Sequence, residues 1–159
     1  MPQARVALVT GGGAGIGEAT CLRLARDGCA VGVLGRDPGN TGKVAQAIRA
    51  AGGKAVAVTA DVADRAAVEA AVAEVRAALG PIAILVNNAG IAEFRPFAEI
   101  GEADWDRLMD VNLKGVYHVT QIVLPDMEKM GWGRVVNLTA LGAQIGAANM
   151  AHYTATKGG

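Results

Sequence analysis

Short unbroken apolar runs recur along this chain, and between them apolar residues return every three or four positions. Residues 6–9, 30–34 and 82–86 have the length and bounding of strands buried on both faces, and 54–60 and 134–138 read as two more. The intervening stretches carry the helical period. Residues 18–26 predict a first helix, and 41–51 a second, with Val44, Ala47, Ile48 and Ala51 on one face. Asp64 stands where an N-cap belongs, ahead of a stripe formed by Val68, Ala71, Val72, Val75 and Leu79. Gly52-Gly53 and Gly80-Pro81 close these two helices. A short helix around Trp105 precedes a long one with Val116, Val119, Val123 and Met127 on one face, which Gly131 ends; a last helix starts near Met150.

Strands separated by helices of this length build right-handed βαβ units. The expected fold is therefore α/β: a Rossmann-like, doubly wound parallel sheet with helices on both faces, spanning 1–159 as a single domain. In such sheets ligands gather at the carboxyl ends of the strands. The polar and glycine-rich segments fall there: 10–17, Gly35-Arg36, Asp61, 87–90 and 139–142. They describe one site.

The first of these segments, Thr10-Gly11-Gly12-Gly13-Ala14-Gly15-Ile16-Gly17, joins a strand to a helix. Bare backbone N–H groups at a positive helix end suit a phosphate or pyrophosphate. The spacing is neither G-x-G-x-x-G nor a Walker A loop, since Glu18 stands where the latter needs lysine. On this evidence a nucleotide site and a glycine-rich turn without a ligand both remain open.

Composition narrows the classes. Apolar residues make up 52% and aromatics 4%, with 22 glycines, which suits tightly packed α/β layers. Fifteen basic residues balance fifteen acidic ones without a basic stripe, which argues against a nucleic-acid partner. No apolar run approaches membrane-spanning length, and the five residues before the first strand leave no room for a signal peptide. The expected setting is the cytoplasm, with Cys21 and Cys29 as buried free thiols. No metal-ligand spacing occurs: His118 reads as structural, His152 as a residue that could touch a substrate, and Trp105 and Trp132 as packing residues.

With Asp61-Val62, Asn87-Asn88-Ala89-Gly90, Asn112 and Tyr153-x-x-x-Lys157 added to T-G-x-x-x-G-I-G, the whole chain resembles the short-chain dehydrogenase/reductase family. Gly131-Trp132-Gly133-Arg134-Val135-Val136-Asn137 is most similar to the 3-oxoacyl and acetoacetyl-CoA reductase branch. The resemblance implies an oxidoreductase that transfers hydride between NADP(H) and a ketone or secondary alcohol, a 3-oxoacyl thioester or a cyclic ketone. Gly11, Gly13, Gly15, Ile16 and Gly17 would form the pyrophosphate turn. Asp61 and Val62 would hold the adenine, and Asn88, Ala89 and Gly90 the adenosine and ribose side. Tyr153 would be the general acid or base, Lys157 would bind the nicotinamide ribose, and Asn112 would hold a water relaying protons to Lys157. A homodimer or homotetramer is likewise implied.

The chemistry agrees with the spacing. Tyr153 and Lys157, at i and i+4, share one helical face. A free tyrosine releases its proton near pH 10, and a neighbouring cation favours the phenolate. Cofactor choice turns on Arg36, which follows Gly35 at the usual position of an NAD-selecting acid and favours NADP. Asp37 stands close enough to compete for a ribose hydroxyl, which keeps NAD possible.

Two features depart from the family pattern. Ala140 occupies the position of the serine that holds the substrate carbonyl, with Thr139 or Gln144 as candidate replacements. The chain also stops two residues past Lys157, so the resemblance implies a C-terminally truncated domain. The oxidoreductase expectation therefore includes an inactivated Ser-to-Ala form, and a non-catalytic NADP(H)-binding sensor or interaction module on the same fold is the competing expectation.

Overall fold

A computed structural model describes residues 4–159. Five parallel strands, β1 (Val6–Thr10), β2 (Ala30–Gly35), β3 (Ala55–Thr59), β4 (Ile82–Asn87) and β5 (Arg134–Asn137), lie in the order β3-β2-β1-β4-β5. The order reverses at β1, so the connections after β1 and β4 diverge and open a crevice at the sheet's carboxyl rim.

The strand residues are apolar on both sides because both sides are covered. Leu8 and Leu85 face α3 (Arg65–Leu79) and α5 (Gly115–Met130), packing with Val68, Val72, Val75, Val119 and Val123. Val9, Val31 and Val33 face α1 (Gly15–Arg26) and α2 (Pro38–Ala50), with Cys21, Val44 and Ile48. Neighbouring strand residues point to opposite faces, so each strand contributes to both layers. At about 25 cal/mol per Å² of apolar surface, these fully buried Val, Leu and Ile side chains contribute roughly 1.5–3 kcal/mol each.

Capping follows the sequence signals. Asp64 accepts the Ala67 amide at 3.1 Å, and Gly131, at φ +62, supplies the left-handed residue that ends α5. Asp126 on α5 accepts both the Ile82 amide (3.0 Å) and Arg76 (2.9 Å), tying that helix to the start of β4.

Several expectations need adjustment. The first two helices each start three residues before the predicted position, because Gly15–Gly17 and Pro38–Asn40 are tolerated in first turns. Between α4 (Glu102–Met109) and α5 the chain widens into a π-helical turn, Asp110–Lys114, without leaving the helical path. A one-turn helix, α6 (Gly142–Ile145), precedes α7 (Ala151–Gly158); neither it nor the π turn has a hydrophobic period long enough to read. Cys21 is fully buried and Cys29 only partly, and both are free.

Candidate functional site

The turn after β1 shows why its residues are small. Gly11 lies at φ +63, and a Cβ there would stand 2.8 Å from the Asn88 side-chain nitrogen. A Cβ on Gly17 would fall 2.1 Å from the Gly11 carbonyl oxygen, so its bareness lets α1 close on the turn rather than admitting a phosphate. Gly13 packs against the start of α2 beside Asn40 and Thr41. Only Gly15 is open on its Cβ side, with the exposed Ile16 next to it. The N-cap residue Ala14 has no side-chain acceptor, and the first intrahelical bond is Glu18 N–H to Ala14. The amides ahead of Glu18 therefore lack intrahelical partners, the arrangement that accepts an anion.

Across the crevice, Thr10 and Asn88 hold β1 and β4 together. The Thr10 hydroxyl accepts the amides of Asn88 and Ala89, each at 3.0 Å, and the Asn88 side chain donates to the carbonyls of Thr10 (2.9 Å) and Gly11 (3.1 Å). Asn88 thus acts on the glycine turn and is not a wall of the adjoining cavity. That cavity, about 150 Å³, is lined by Gly11, Gly35, Arg36, Asp61, Val62, Ala89 and Gly90 among others. Its floor is apolar and its mouth is charged. Arg36 and Asp61 face each other there at 3.8 Å, and the other Asp61 oxygen accepts the Ala63 amide at 2.9 Å. The nearby Asp37 caps α2, one of its carboxylate oxygens accepting the Asn40 amide at 2.9 Å.

Tyr153 and Lys157 sit on α7, both partly buried. Asn112, in the π turn, anchors this helix from beneath. Its side chain exchanges two 2.8 Å bonds with the backbone of Ile91 and donates to Thr156 at 3.1 Å. The Lys157 ammonium donates to the Leu138 carbonyl at 2.9 Å and lies 3.4 Å from where a Gly90 Cβ would be. Burial lowers its pKa. The Thr139 hydroxyl donates to the Lys157 carbonyl, so its one hydrogen is already committed. Ala140 is partly buried and Gln144 exposed.

The two histidines and two tryptophans fill other roles. His118 Nδ1 lies 3.1 Å from the Val62 carbonyl oxygen, consistent with a structural part. His152 is completely buried on the Thr156 side of α7, and neither ring nitrogen has a partner among the described residues. It therefore packs behind the site. The guanidinium groups of Arg5 (4.0 Å) and Arg134 (4.9 Å) both approach the Trp132 ring, while Trp105 is partly exposed beside Phe97. Among the described residues no cluster of three metal-ligating side chains occurs, and no helix is long and apolar enough to cross a membrane.

A profile of the short chain dehydrogenase family matches residues 5–159. The chain belongs to this family. Among short-chain dehydrogenase relatives, an acetoacetyl-CoA reductase of Allochromatium vinosum is 41% identical over 159 residues, covering 98% of this chain and 64% of its own. A 3-oxoacyl-acyl-carrier-protein reductase of Staphylococcus aureus is 36% identical over 160 residues, covering 100% and 65%. The crystal structure of a 3-ketoacyl-ACP reductase from Sinorhizobium meliloti superposes with a TM-score of 0.93 at 37% identity, over 96% of this chain and 61% of that one. The Rossmann-like sheet read from the hydrophobic pattern is thus the fold of the family. This chain spans about three-fifths of the length of the curated relatives it matches.

Proposed function

We propose that the site binds NADP(H) and serves hydride transfer between the nicotinamide and a ketone or secondary alcohol, with a 3-oxoacyl thioester as the favoured substrate class. One observation carries the reading. The open amides at Gly15, the cavity between Gly35-Arg36 and Asp61-Val62, and the Tyr153-Lys157 pair all lie along one sheet rim. Pyrophosphate, adenosine and nicotinamide ribose each find a suitable group along it. Arg36 at the cavity mouth, with Asp37 withdrawn into a helix cap, supports the phosphorylated dinucleotide.

When bound, the dinucleotide supplies or accepts the hydride; the protein's residues position it and move the proton. Tyr153 gives a proton to the carbonyl oxygen, or takes one from the alcohol. Lys157, one turn along the same helix, holds the ribose hydroxyls. Asn112 fixes the floor on which α7 rests. Ala140 offers no hydrogen bond to the developing oxyanion, and Thr139 is engaged elsewhere, so the exposed Gln144 amide is the donor left nearby. A missing oxyanion donor costs about 3–4 kcal/mol, which predicts slow turnover.

The exposed Leu113, Tyr117 and Leu124, at i, i+4 and i+11 along the π turn and α5, support pairing with a second copy.

The test is NADPH fluorescence titration followed by assay of 3-oxoacyl thioesters and cyclic ketones, with and without Ala140→Ser. Saturable binding and turnover that rises about 10²–10³-fold in the serine form are expected. Binding with no turnover in either form would instead favour the sensor or interaction module.

A further inference from the structure

Lys157 carries two long-range bonds that meet at the same place. Its ammonium donates to the carbonyl of Leu138, and its own carbonyl accepts the hydroxyl of Thr139. Leu138 and Thr139 are adjacent, immediately beyond β5, and lie eighteen or more positions from Lys157 in sequence. The lysine is thus gripped at both ends by two consecutive residues of the sheet rim, through the carbonyl of Leu138 and the side chain of Thr139. Leu138 is itself fixed, because its amide donates to the Asn87 carbonyl at 3.0 Å, carrying the ladder one step past the strand. The clasp therefore transmits the position of β4 and β5 to the last turn of α7.

We propose that Thr139 is a positioning residue: its hydroxyl, by anchoring the Lys157 carbonyl, sets where the Lys157 ammonium reaches. The argument rests on the reading of Lys157 as the cofactor-binding lysine. A lysine side chain has about 2 kcal/mol of rotamer entropy, so its head is placed well only if its backbone is held. The β-branched Thr139 suits that task, since a restricted χ1 directs its hydroxyl with little further loss of freedom. The other half of the clasp, Lys157 to Leu138, uses the very atom the cofactor requires. That bond takes one of the three ammonium hydrogens and leaves two for ribose hydroxyls, while the Thr139 bond holds the backbone from which the side chain extends. Burial lowers the pKa of Lys157, as expected of an ammonium held against the sheet rim rather than left in water.

Thr139→Val keeps the shape and removes the hydroxyl; Thr139→Ser keeps the hydroxyl. Two measurements read the clasp. The first is amide hydrogen exchange of α7 in the absence of nucleotide, compared with β1 and β4. The second is the NADPH dissociation constant. In the valine form, exchange across α7 is expected to quicken about fivefold and NADPH affinity to fall by a similar factor, the size of one lost hydrogen bond. Protection of β1 and β4 should not change, and serine should restore both values. Unchanged exchange in the valine form overturns the anchor. Faster exchange with unchanged affinity overturns the link to Lys157. Should the unaltered chain bind no NADPH, the cofactor reading fails by itself, and the exchange arm decides whether Thr139 anchors α7.

Discussion

Arg36 offers the sharpest test of nucleotide choice. It is an exposed side chain at the mouth of the cavity proposed for adenosine, paired with Asp61 at 3.8 Å. Arg36→Gln keeps the length and removes the charge. The surface pair itself contributes only about 0–1 kcal/mol, so the fold should be indifferent. Against a 2′-phosphate the same guanidinium would make charge-assisted hydrogen bonds, about 1.5–3 kcal/mol in general. Exposure puts this case near the lower bound, and about 1.4 kcal/mol is a tenfold change in affinity. A second effect acts in the same direction. The Asp61 carboxylate is pinned by the Ala63 amide and cannot swing away, so without Arg36 its charge faces the phosphate unbalanced. NADPH should therefore bind at least about tenfold more weakly, with NADH changed less than about twofold. Fluorescence titrations with both nucleotides, at low salt and at high salt, measure this; the NADPH difference should shrink as salt screens it. Equal weakening of the two nucleotides would refute the assignment, because it would make Arg36 part of the shared adenosine site.

Four further outcomes follow from named contacts. Lys157 has its pKa lowered by burial, so its charge is lost at a lower pH than a free lysine's; turnover in the Ala140→Ser form should fall on the alkaline side below the ordinary lysine range, and Lys157→Arg should move that limb upward. Gly17→Ala forces a Cβ to within 2.1 Å of the Gly11 oxygen, so thermal unfolding should show a loss of about 2 kcal/mol or more together with loss of NADPH binding. Burial pushes the Cys21 thiol up to about 12, so timed alkylation read by mass spectrometry should label the partly exposed Cys29 first. Leu124→Glu on the exposed stripe should reduce the sedimentation mass of any assembly while leaving NADPH binding intact.

The hydrophobic rhythm was sufficient for the sheet. Runs such as Val6 to Val9 and the stripe from Val68 to Val75 have few alternative homes, because both faces of each central strand must be covered. The polar residues were less legible. Asn88, Gly13 and Gly17 stand in a recognisable motif, yet the structure directs them at the turn's own backbone or at α2. Residue type and spacing fix which atoms reach the rim but not which neighbour each one faces. Thr139 is the clearest case. As a strand residue it would be assigned a face by alternation, but β5 ends at Asn137, and beyond that point the period no longer applies. The π turn holding Asn112 was silent for a similar reason, since one widened turn leaves the surrounding apolar pattern unchanged.

The bonds from Thr10 to Asn88 and Ala89 close the crevice across nearly half of the chain. During synthesis, then, the cavity stays open on its Ala89-Gly90 side until β4 has emerged and docked beside β1. The proton-transfer end comes later still, when Lys157 reaches Leu138. At about 5–20 residues per second, the interval between Gly90 and Lys157 is roughly 3–13 s. For that period the cavity is walled while the α7 end of the rim is not yet in place. On the proposed function, the half of the site meant for adenosine would thus be built before the half meant for the reacting groups.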